Sequence, residues 1–532
     1  MGLRRNDKEF RHSAVSYIDY KQLDMDRVLT GLLGRLWFNG APSVLKGAPG
    51  DQPVERFVSE MMKRPDYFEG FDADITRRWL EADLLDLVNR GKPNHAVAGL
   101  RPLHGFTYRF RVARLSRPYG ADEQLYWMIQ HAPDGKGPLT LGLLRRFFFA
   151  GLEPSRDRLT AGGEIDVETQ TLINIDAAFH DQITDRAAPG LRKGYPPLEI
   201  DASRLLADDI IRLLYHEDFI PRSVIVEHLK ILLAFHLARY HFRIMKLLPA
   251  RIARQPVPPE GGFFLDVVGM PGTAVAELAE RSARSWYARI PGFVQATFTV
   301  KKLDELARQL VNAHKLARPA DQLFPIETLL GLLGPKRRAE RTAFAASRLS
   351  GITDTTATDA QSVDQDISDI LDLGLDPFTT YIEIITAYRV RFHRRYLTDC
   401  LDSLLLKNRP GAMIAQPKGG QRRFVLDSRL LEVLLQLALL RGDGSGGLHT
   451  QPIRIDEFVE TLRTRYGMYI DRLPPGDGFG RVSITQQQAL RVNRDAFVAR
   501  LREIGFYSDL SDAYLTQTIA PRYRIDADIT RR

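Results

Sequence analysis

The spacing of apolar and polar residues predicts a mainly α, multidomain chain with a few short strands. Near the N terminus, VERFVSEMMKRPDYF and ADITRRWLEADLLDLVNRG carry apolar residues at helical intervals. Apolar and polar residues alternate in FTYRFRVARL, residues 106–115, which predicts a strand with one basic, solvent-facing side. We therefore expect residues 1–195 to form an N-terminal mixed α/β region.

The most continuous apolar pattern lies in the middle of the chain. From Pro221 to Pro249, apolar residues cover nearly every side of a helical wheel, which is typical of a helix at the centre of a core. A predicted strand, a Gly-Pro turn and another helix follow within GFFLDVVGMPGTAVAELAERSARSW. These elements predict a central helical domain over residues 196–349, and the small, polar, acidic residues 350–366 predict a linker after it.

Residues 367–532 are predicted to form a basic helical domain that opens with a long helix. Asp376 and Pro377 suit the N-cap and the first turn of this helix, which is expected to end near Lys407. Further helices are predicted at 427–441, 456–466 and 494–504, the last of them capped by Asn493. Gly-rich loops and short apolar segments between these helices are compatible with a winged-helix-like module.

The composition indicates in which cellular compartment the protein is found and what kind of partner it binds. The 532 residues carry a net charge of +8 with a pI of about 9.4, which favours an acidic partner such as nucleic acid or an acidic protein face. The single cysteine, Cys400, excludes an intramolecular disulfide and a cysteine-based zinc site. Since the chain lacks a long apolar run and a signal-peptide core, we expect a cytoplasmic protein without a membrane span.

The clearest candidate for a binding site is an arginine cluster in RVRFHRRYLTDCLDSLLLKN, residues 389–408. On a helical wheel its arginines flank a stripe that contains Phe392 and Tyr396, so they could contact phosphates and bases. QPKGGQRRFVLDSR, residues 416–429, would extend the same basic surface. The residues predicted to bind nucleic acid are Arg389, Arg391, Arg394, Arg395, Arg422 and Arg423.

A structural role for these arginines is the competing hypothesis. The segment VDQDISDILDLGLD, residues 363–376, brings five aspartates directly upstream of the cluster. Pairs between arginine and carboxylate at a domain edge are common and purely structural. Both interpretations remain open on the residues alone.

Catalytic and metal-binding motifs give little support to an enzyme. The phosphate-binding GxxxxGK[ST] loop and the HExxH zinc motif are absent, and we expect neither catalytic residues nor a cofactor or metal. His228, His236 and His241 share one predicted helix at spacings that do not converge on an ion. Carboxylate–lysine pairs of the nuclease kind occur at Asp19/Lys21 and Asp134/Lys136, and His180-Asp181 is an isolated pair.

The C-terminal third resembles a known group of proteins. FVLDSRLLEVLLQLALL followed by IRIDEFVETLRTRYGMYID is similar to the tail of accessory proteins from bacterial antiphage operons. These operons are the methylation-associated defence systems and, more distantly, the phosphorothioation-dependent restriction systems. The resemblance implies a non-catalytic component of a defence complex, which binds DNA or couples an ATPase to other subunits of the operon. The alternatives are a scaffold for an ATPase partner without nucleic-acid contact and a divergent metal-dependent nuclease.

Overall fold

Helices dominate the computed structural model, which confirms the mainly α, multidomain fold class with few short strands. The structure describes residues 3–526 except 4, 48–52, 64–69, 90–91, 93–94, 154–157, 160–165, 180–182, 190–192, 322, 359–364, 443–446, 481 and 508–517. The helices are α1 Arg5–Lys8, α2 Met25–Trp37, α3 Val54–Met62, α4 Ala73–Trp79, α5 Ala121–Gln130, α6 Lys136–Phe148, α7 Val167–Phe179, α8 Ile200–Leu214, α9 Arg222–Ile252, α10 Ala274–Tyr287, α11 Ile290–Asn312, α12 Ile326–Gly331, α13 Arg338–Thr358, α14 Gln365–Asp372, α15 Pro377–Leu405, α16 Ser428–Leu439, α17 Ile455–Tyr466 and α18 Ile484–Glu503.

The strands are short, and each sheet in the described part of the chain has two of them. They are β1 Ser43–Lys46, β2 Leu85–Val88, β3 Ala96–Leu100, β4 Leu152–Glu153, β5 Arg158–Leu159, β6 Thr184–Ala187, β7 Phe263–Phe264, β8 Ile414–Ala415, β9 Arg423–Phe424, β10 Leu440–Gly442, β11 Leu448–Thr450, β12 Ile453–Arg454, β13 Met468–Tyr469 and β14 Thr518–Ile519. The pair β7–β13 is parallel, and the pairs β1–β6, β2–β3, β4–β5, β8–β9, β10–β11 and β12–β14 are antiparallel.

Helix α9 lies at the centre of the molecule, as its apolar pattern predicts. It is buried along most of its length and packs against α8, α11, α15 and α16. Pro249 does not end it, because this proline lies inside the last turn and the helix runs on to Ile252. The buried side chains around α9 belong to one cluster that extends from Leu3 to Ile519. The division into domains at residues 195, 349 and 366 therefore remains a prediction, and so does the winged-helix-like module.

Two predicted elements are wrong for identifiable reasons. Gly105–Phe110 forms a 3-10 helix where a strand was expected. Its arginine, Arg109, is buried with its guanidinium 3.9 Å from the ring centroid of Phe106, so this basic position does not mark a solvent-facing side. Helix α18 begins ten residues before the predicted start because Ser483 and Gln486 form a capping box.

The predicted cap of α18 and the predicted linker also differ from the structure. Asn493 lies inside α18, where its buried side-chain amide donates to the carbonyl groups of Leu265 and Ile470. Helix α13 continues to Thr358, so residues 350–358 of the predicted linker are helical. Residues 359–364 of that linker lie outside the described residues.

Candidate nucleic-acid interface

The arginine cluster lies on α15, a 29-residue helix fixed at both ends. Asp376 caps its first turn by accepting hydrogen bonds from the backbone N–H groups of Phe378 and Thr379, as the sequence predicts. Near the other end, the Oγ of Ser403 accepts a hydrogen bond from the backbone N–H of Leu23, at 2.8 Å. The helix packs against α9, α11, α13 and α14. A helix held in this way presents its solvent-facing side chains from a rigid base.

His393 anchors the middle of the arginine cluster to the core. Its imidazole stacks on Phe10 with ring centroids 4.2 Å apart and meets Phe298 edge-on at 5.5 Å. Burial, with a contribution from nearby Arg389, lowers the pKa of His393 to about 3, so the ring is neutral at physiological pH. The only histidine of the cluster is therefore a packing residue and adds no positive charge.

The opposite side of this turn faces solvent and carries charge. Arg391, Arg394 and Arg395 are exposed. Arg395 lies 3.8 Å from the carboxylate of Asp399 and its side chain remains 82% exposed. Arg391 and Arg394 form no ion pair with any residue that the structure describes. At least two guanidinium groups on this face are consequently available to an outside anion.

Aromatic rings lie between the cations of this surface. The guanidinium of Arg389 lies 4.3 Å from the ring centroid of Phe392, and the ring of Phe392 lies 4.4 Å from that of Tyr396. The ammonium of Lys21, from the N-terminal segment, lies 4.0 Å from the centroid of Tyr396. We call Arg389, Phe392, Tyr396 and Lys21 the cation–aromatic row. The helical wheel assigned Phe392 to an apolar stripe, but its ring is 43% exposed.

The acidic segment upstream does not neutralise this surface in the part of the chain that the structure describes. Asp376 is used as the N-cap of α15. Asp372 forms no ion pair with an arginine of α15 among the described residues. The side chains of Asp364 and Asp366 lie outside the described residues.

Arg422 is held by a carboxylate of the same chain. Its guanidinium donates a hydrogen bond of 2.5 Å to Asp402 and lies 4.4 Å from the ring centroid of Tyr287. The Tyr287 hydroxyl donates to the other oxygen of the same carboxylate at 3.2 Å. This network joins α15 to α10 and leaves the Arg422 side chain 23% exposed.

Arg423 is buried more deeply and is also paired. Its Nε donates to the carboxylate of Asp266 at 2.9 Å, and the two side chains are 4% and 0% exposed. Another guanidinium nitrogen donates to the carbonyl of Gly269 at 2.9 Å. The sequence could not reveal this pair, since Asp266 lies 157 positions away. Of the six predicted residues, Arg391, Arg394 and Arg395 face solvent and Arg389 is half-buried against Phe392, whereas Arg422 and Arg423 are held by carboxylates of the same chain.

The comparison with known families decides the identity of the chain. A family model described as methylation-associated defense system protein MAD7 matches residues 5–523. The chain belongs to the MAD7 family. This match confirms the resemblance to accessory proteins of antiphage operons and extends it from the C-terminal third to nearly the whole sequence. No curated protein and no solved structure is significantly similar to this MAD7-family chain.

Asp19, Asp134 and Lys136, which were considered for catalysis in this MAD7-family protein, are engaged in ion pairs, while Lys21 contacts the ring of Tyr396. Asp134 pairs with Arg204 at 3.2 Å, and Lys136 pairs with Asp208 at 2.8 Å. Asp19 pairs with Arg11 at 2.9 Å. The predicted pair His180-Asp181 lies outside the described residues. Within the described ranges, no group of three or more His, Cys, Asp or Glu side chains is placed to hold a metal ion.

The histidines of α9 serve packing and internal hydrogen bonds. His236 bonds to the buried carboxylate of Asp209 at 2.9 Å, and His241 bonds to Ser16 at 3.0 Å. Burial lowers the pKa of His241 to about 4, which favours the neutral ring. None of the helices in the described part of this MAD7-family chain has the length and apolar character needed to cross a bilayer.

Proposed function

We propose that this MAD7-family protein is a cytoplasmic, non-catalytic component of its defence system that binds DNA through the exposed arginines of α15. The observation that carries the proposal is the pair Arg391 and Arg394, which are solvent-facing and without a carboxylate partner among the described residues. A guanidinium on a rigid helix can donate two hydrogen bonds to one phosphate, and it does so without reading the base sequence. The proposed binding is therefore not sequence-specific.

The rigid support of α15 favours this function over a mobile basic segment. A flexible arginine-rich segment would lose conformational entropy on binding, whereas the caps and the buried His393 have already fixed this helix. The exposed ring of Phe392 lies between the cations and offers apolar surface to an unstacked base. Phosphate contacts should supply most of the affinity for DNA, and this contribution decreases steeply as the salt concentration rises.

The test is DNA binding by the full chain across a salt series, with and without Arg391→Gln, Arg394→Gln and Arg395→Gln together. A matched variant removes three exposed arginines from other helices, Arg78, Arg146 and Arg204, so the two variants have the same net charge. Each lost phosphate contact should make the slope of log affinity against log salt shallower by about one unit. We expect a change of about two to three units for the α15 variant and little change for the control.

Two outcomes would overturn the proposal. One is an equal loss of affinity in both triple variants, which would show that only the total charge matters. The other is DNA binding that does not respond to salt. If partners expressed from the same operon remain bound after nuclease treatment and are released by the α15 variant alone, the surface is a docking site for a protein such as an ATPase.

A further inference from the structure

A polar cleft lies directly beside the cation–aromatic row. It has a volume of about 560 Å³ and is bounded by the N-terminal segment, α2, the turn before α5 and the first turn of α5. Lys21 belongs both to the row and to the lining of this cleft. We call it the α5 cleft; its charged lining residues are Arg11, Asp19, Lys21, Arg35, Arg111, Arg117, Asp122 and Glu123.

The carboxylates of the α5 cleft are already paired with two of its arginines. Arg35 is almost fully buried and donates to Asp122 at 2.6 Å and to Glu123 at 3.1 Å. Arg11 donates to Asp19 at 2.9 Å. These contacts account for all three acidic side chains of the lining, while Lys21, Arg111 and Arg117 form no ion pair with a described residue; five cations against three carboxylates give the lining a net charge of +2.

Arg111 is the most informative of the remaining cations. One of its terminal nitrogens donates to the backbone carbonyl of Ser43 at 2.7 Å, while its buried Nε has no hydrogen-bond partner. Burial lowers the pKa of Arg111, and the nearby carboxylate of Asp122, which lies beyond ion-pair distance, offsets this effect only in part. A half-buried guanidinium without a counter-ion is costly, and an anion bound in the cleft would reduce that cost.

The backbone at Gly120 shapes one wall of the cleft. Gly120 has a φ of +79°, and a Cβ at this position would lie 2.0 Å from the carbonyl oxygen of Tyr17. The turn that only glycine permits here brings the N terminus of the ten-residue helix α5 to the cleft wall. Asp122 and Glu123 lie in the first turn of α5 and oppose the positive end of its dipole, so the attraction for an anion comes mainly from the cations of the cleft.

A second cavity differs from the α5 cleft in the balance of its charged side chains. It encloses about 960 Å³ between α5, α9 and the loop before α12, and aromatic and proline residues form much of its lining. Its cations are paired across the cavity, Lys193 with Asp321 at 3.5 Å and Arg251 with Glu327 at 3.6 Å. The α5 cleft differs because its cations exceed its carboxylates.

We propose that the α5 cleft binds a phosphate group of the nucleic-acid strand whose neighbouring nucleotides lie along the cation–aromatic row. This inference rests on the proposed function and extends it to a defined subsite. Arg111 and Arg117 would hold the phosphate, and Lys21 would bridge the subsite to the row. A bent or single-stranded segment suits the cleft better than a straight duplex, because the phosphate must leave the surface of α15 and enter a concavity.

The experiment measures binding of a fluorescent single-stranded oligonucleotide and of pyrophosphate to the full chain. The cleft variant is Arg111→Gln with Arg117→Gln, and Arg117→Glu alone tests the exposed rim without disturbing a buried side chain. Arg114→Glu is the matched control, since this exposed arginine lies three positions from Arg117, does not line the cleft, and its change lowers the net charge as much as either cleft variant does. We expect at least tenfold weaker oligonucleotide binding by both cleft variants, little change in the control, and competition between pyrophosphate and the oligonucleotide in the wild type.

The outcomes separate the cleft from the α15 surface. The α15 triple variant should lose oligonucleotide affinity and keep pyrophosphate binding, because its changed residues lie outside the cleft. Unchanged oligonucleotide affinity in Arg117→Glu, or failure of pyrophosphate to compete, overturns the phosphate subsite while leaving the α15 proposal intact. Pyrophosphate binding that depends on Arg111 and Arg117 without any oligonucleotide binding overturns the assignment to a strand and indicates a free nucleotide or phosphate as the ligand.

Discussion

Neutralising Asp266 should loosen the core near β9 and should leave nucleic-acid binding intact. Asp266 accepts a hydrogen bond from Arg423 Nε at 2.9 Å through one oxygen, and from the backbone N–H of Gly269 at 2.8 Å through the other. The substitution Asp266→Asn keeps the size of the side chain, removes its charge and replaces one of the two acceptor oxygens by an NH2 donor. Arg423, whose side chain is 4% exposed, would then be a buried cation without a counter-ion.

The size of the effect follows from this burial. Removing one partner of a buried ion pair costs about 3–5 kcal/mol because the remaining charge stays desolvated. Since about 1.4 kcal/mol corresponds to a factor of ten, local opening should become more frequent by about two to four powers of ten. Two backbone amides near Asp266 should exchange faster when this region opens. The N–H of Asp266 donates to the carbonyl of Phe424 at 2.9 Å, and the N–H of Val425 donates to the carbonyl of Met413 at 2.8 Å.

Hydrogen exchange read by mass spectrometry measures this opening in segments 263–269 and 411–426. The matched control is Asp456→Asn, which removes one partner of an exposed ion pair with Arg494, its carboxylate 61% accessible. Such a pair contributes about 1 kcal/mol or less, so exchange in the control should hardly change. Unchanged exchange in Asp266→Asn, together with weaker DNA binding by Arg423→Gln, would refute the structural role and return Arg423 to the binding surface.

Two further predictions concern acid stability and thiol reactivity. Burial raises the pKa of Asp208, but hydrogen bonds from Lys136 and Arg465 outweigh it and lower the value to about 2 from an ordinary 3.8. Asp208 therefore adds about 1–2 kcal/mol to the free energy of unfolding above pH 4. This contribution is lost as the pH falls toward 2, so the urea midpoints of wild type and Asp208→Asn should converge over that range. Burial raises the pKa of the Cys400 thiol, so iodoacetamide should label this single cysteine only after unfolding, and labelling of the native protein would contradict its burial.

The helices that the sequence predicted well are those whose pattern depends on local chemistry. The cap at Asp376 fixes the start of α15, and Gly467, with a φ of +68°, ends α17 where a left-handed residue is needed. The apolar circumference of α9 could be predicted because a helix buried on all sides has no polar face. In each case the deciding residues lie within one or two turns of the boundary.

The errors arise where a distant residue changes the meaning of a local pattern. Asn493 looks like a helix cap in the sequence, but its amide joins α18 to the backbone of Leu265 and Ile470. Lys21 has no local signal that links it to α15, and only the fold brings its ammonium onto the ring of Tyr396. Periodicity reports on a helix face, whereas these contacts depend on the packing of elements far apart in the chain.

The role of each arginine is set by the carboxylates that the fold brings near it. Arg423 and Arg391 look equivalent in the sequence, yet a carboxylate 2.9 Å away makes the first a structural residue, and the second has no such partner among the described residues. An acidic protein face and a DNA backbone would both bind the unpaired group on α15 through the same cations. The two proposed roles, DNA binding and coupling to a partner subunit, therefore compete for one surface. A chain that served both would have to release one ligand before it bound the other.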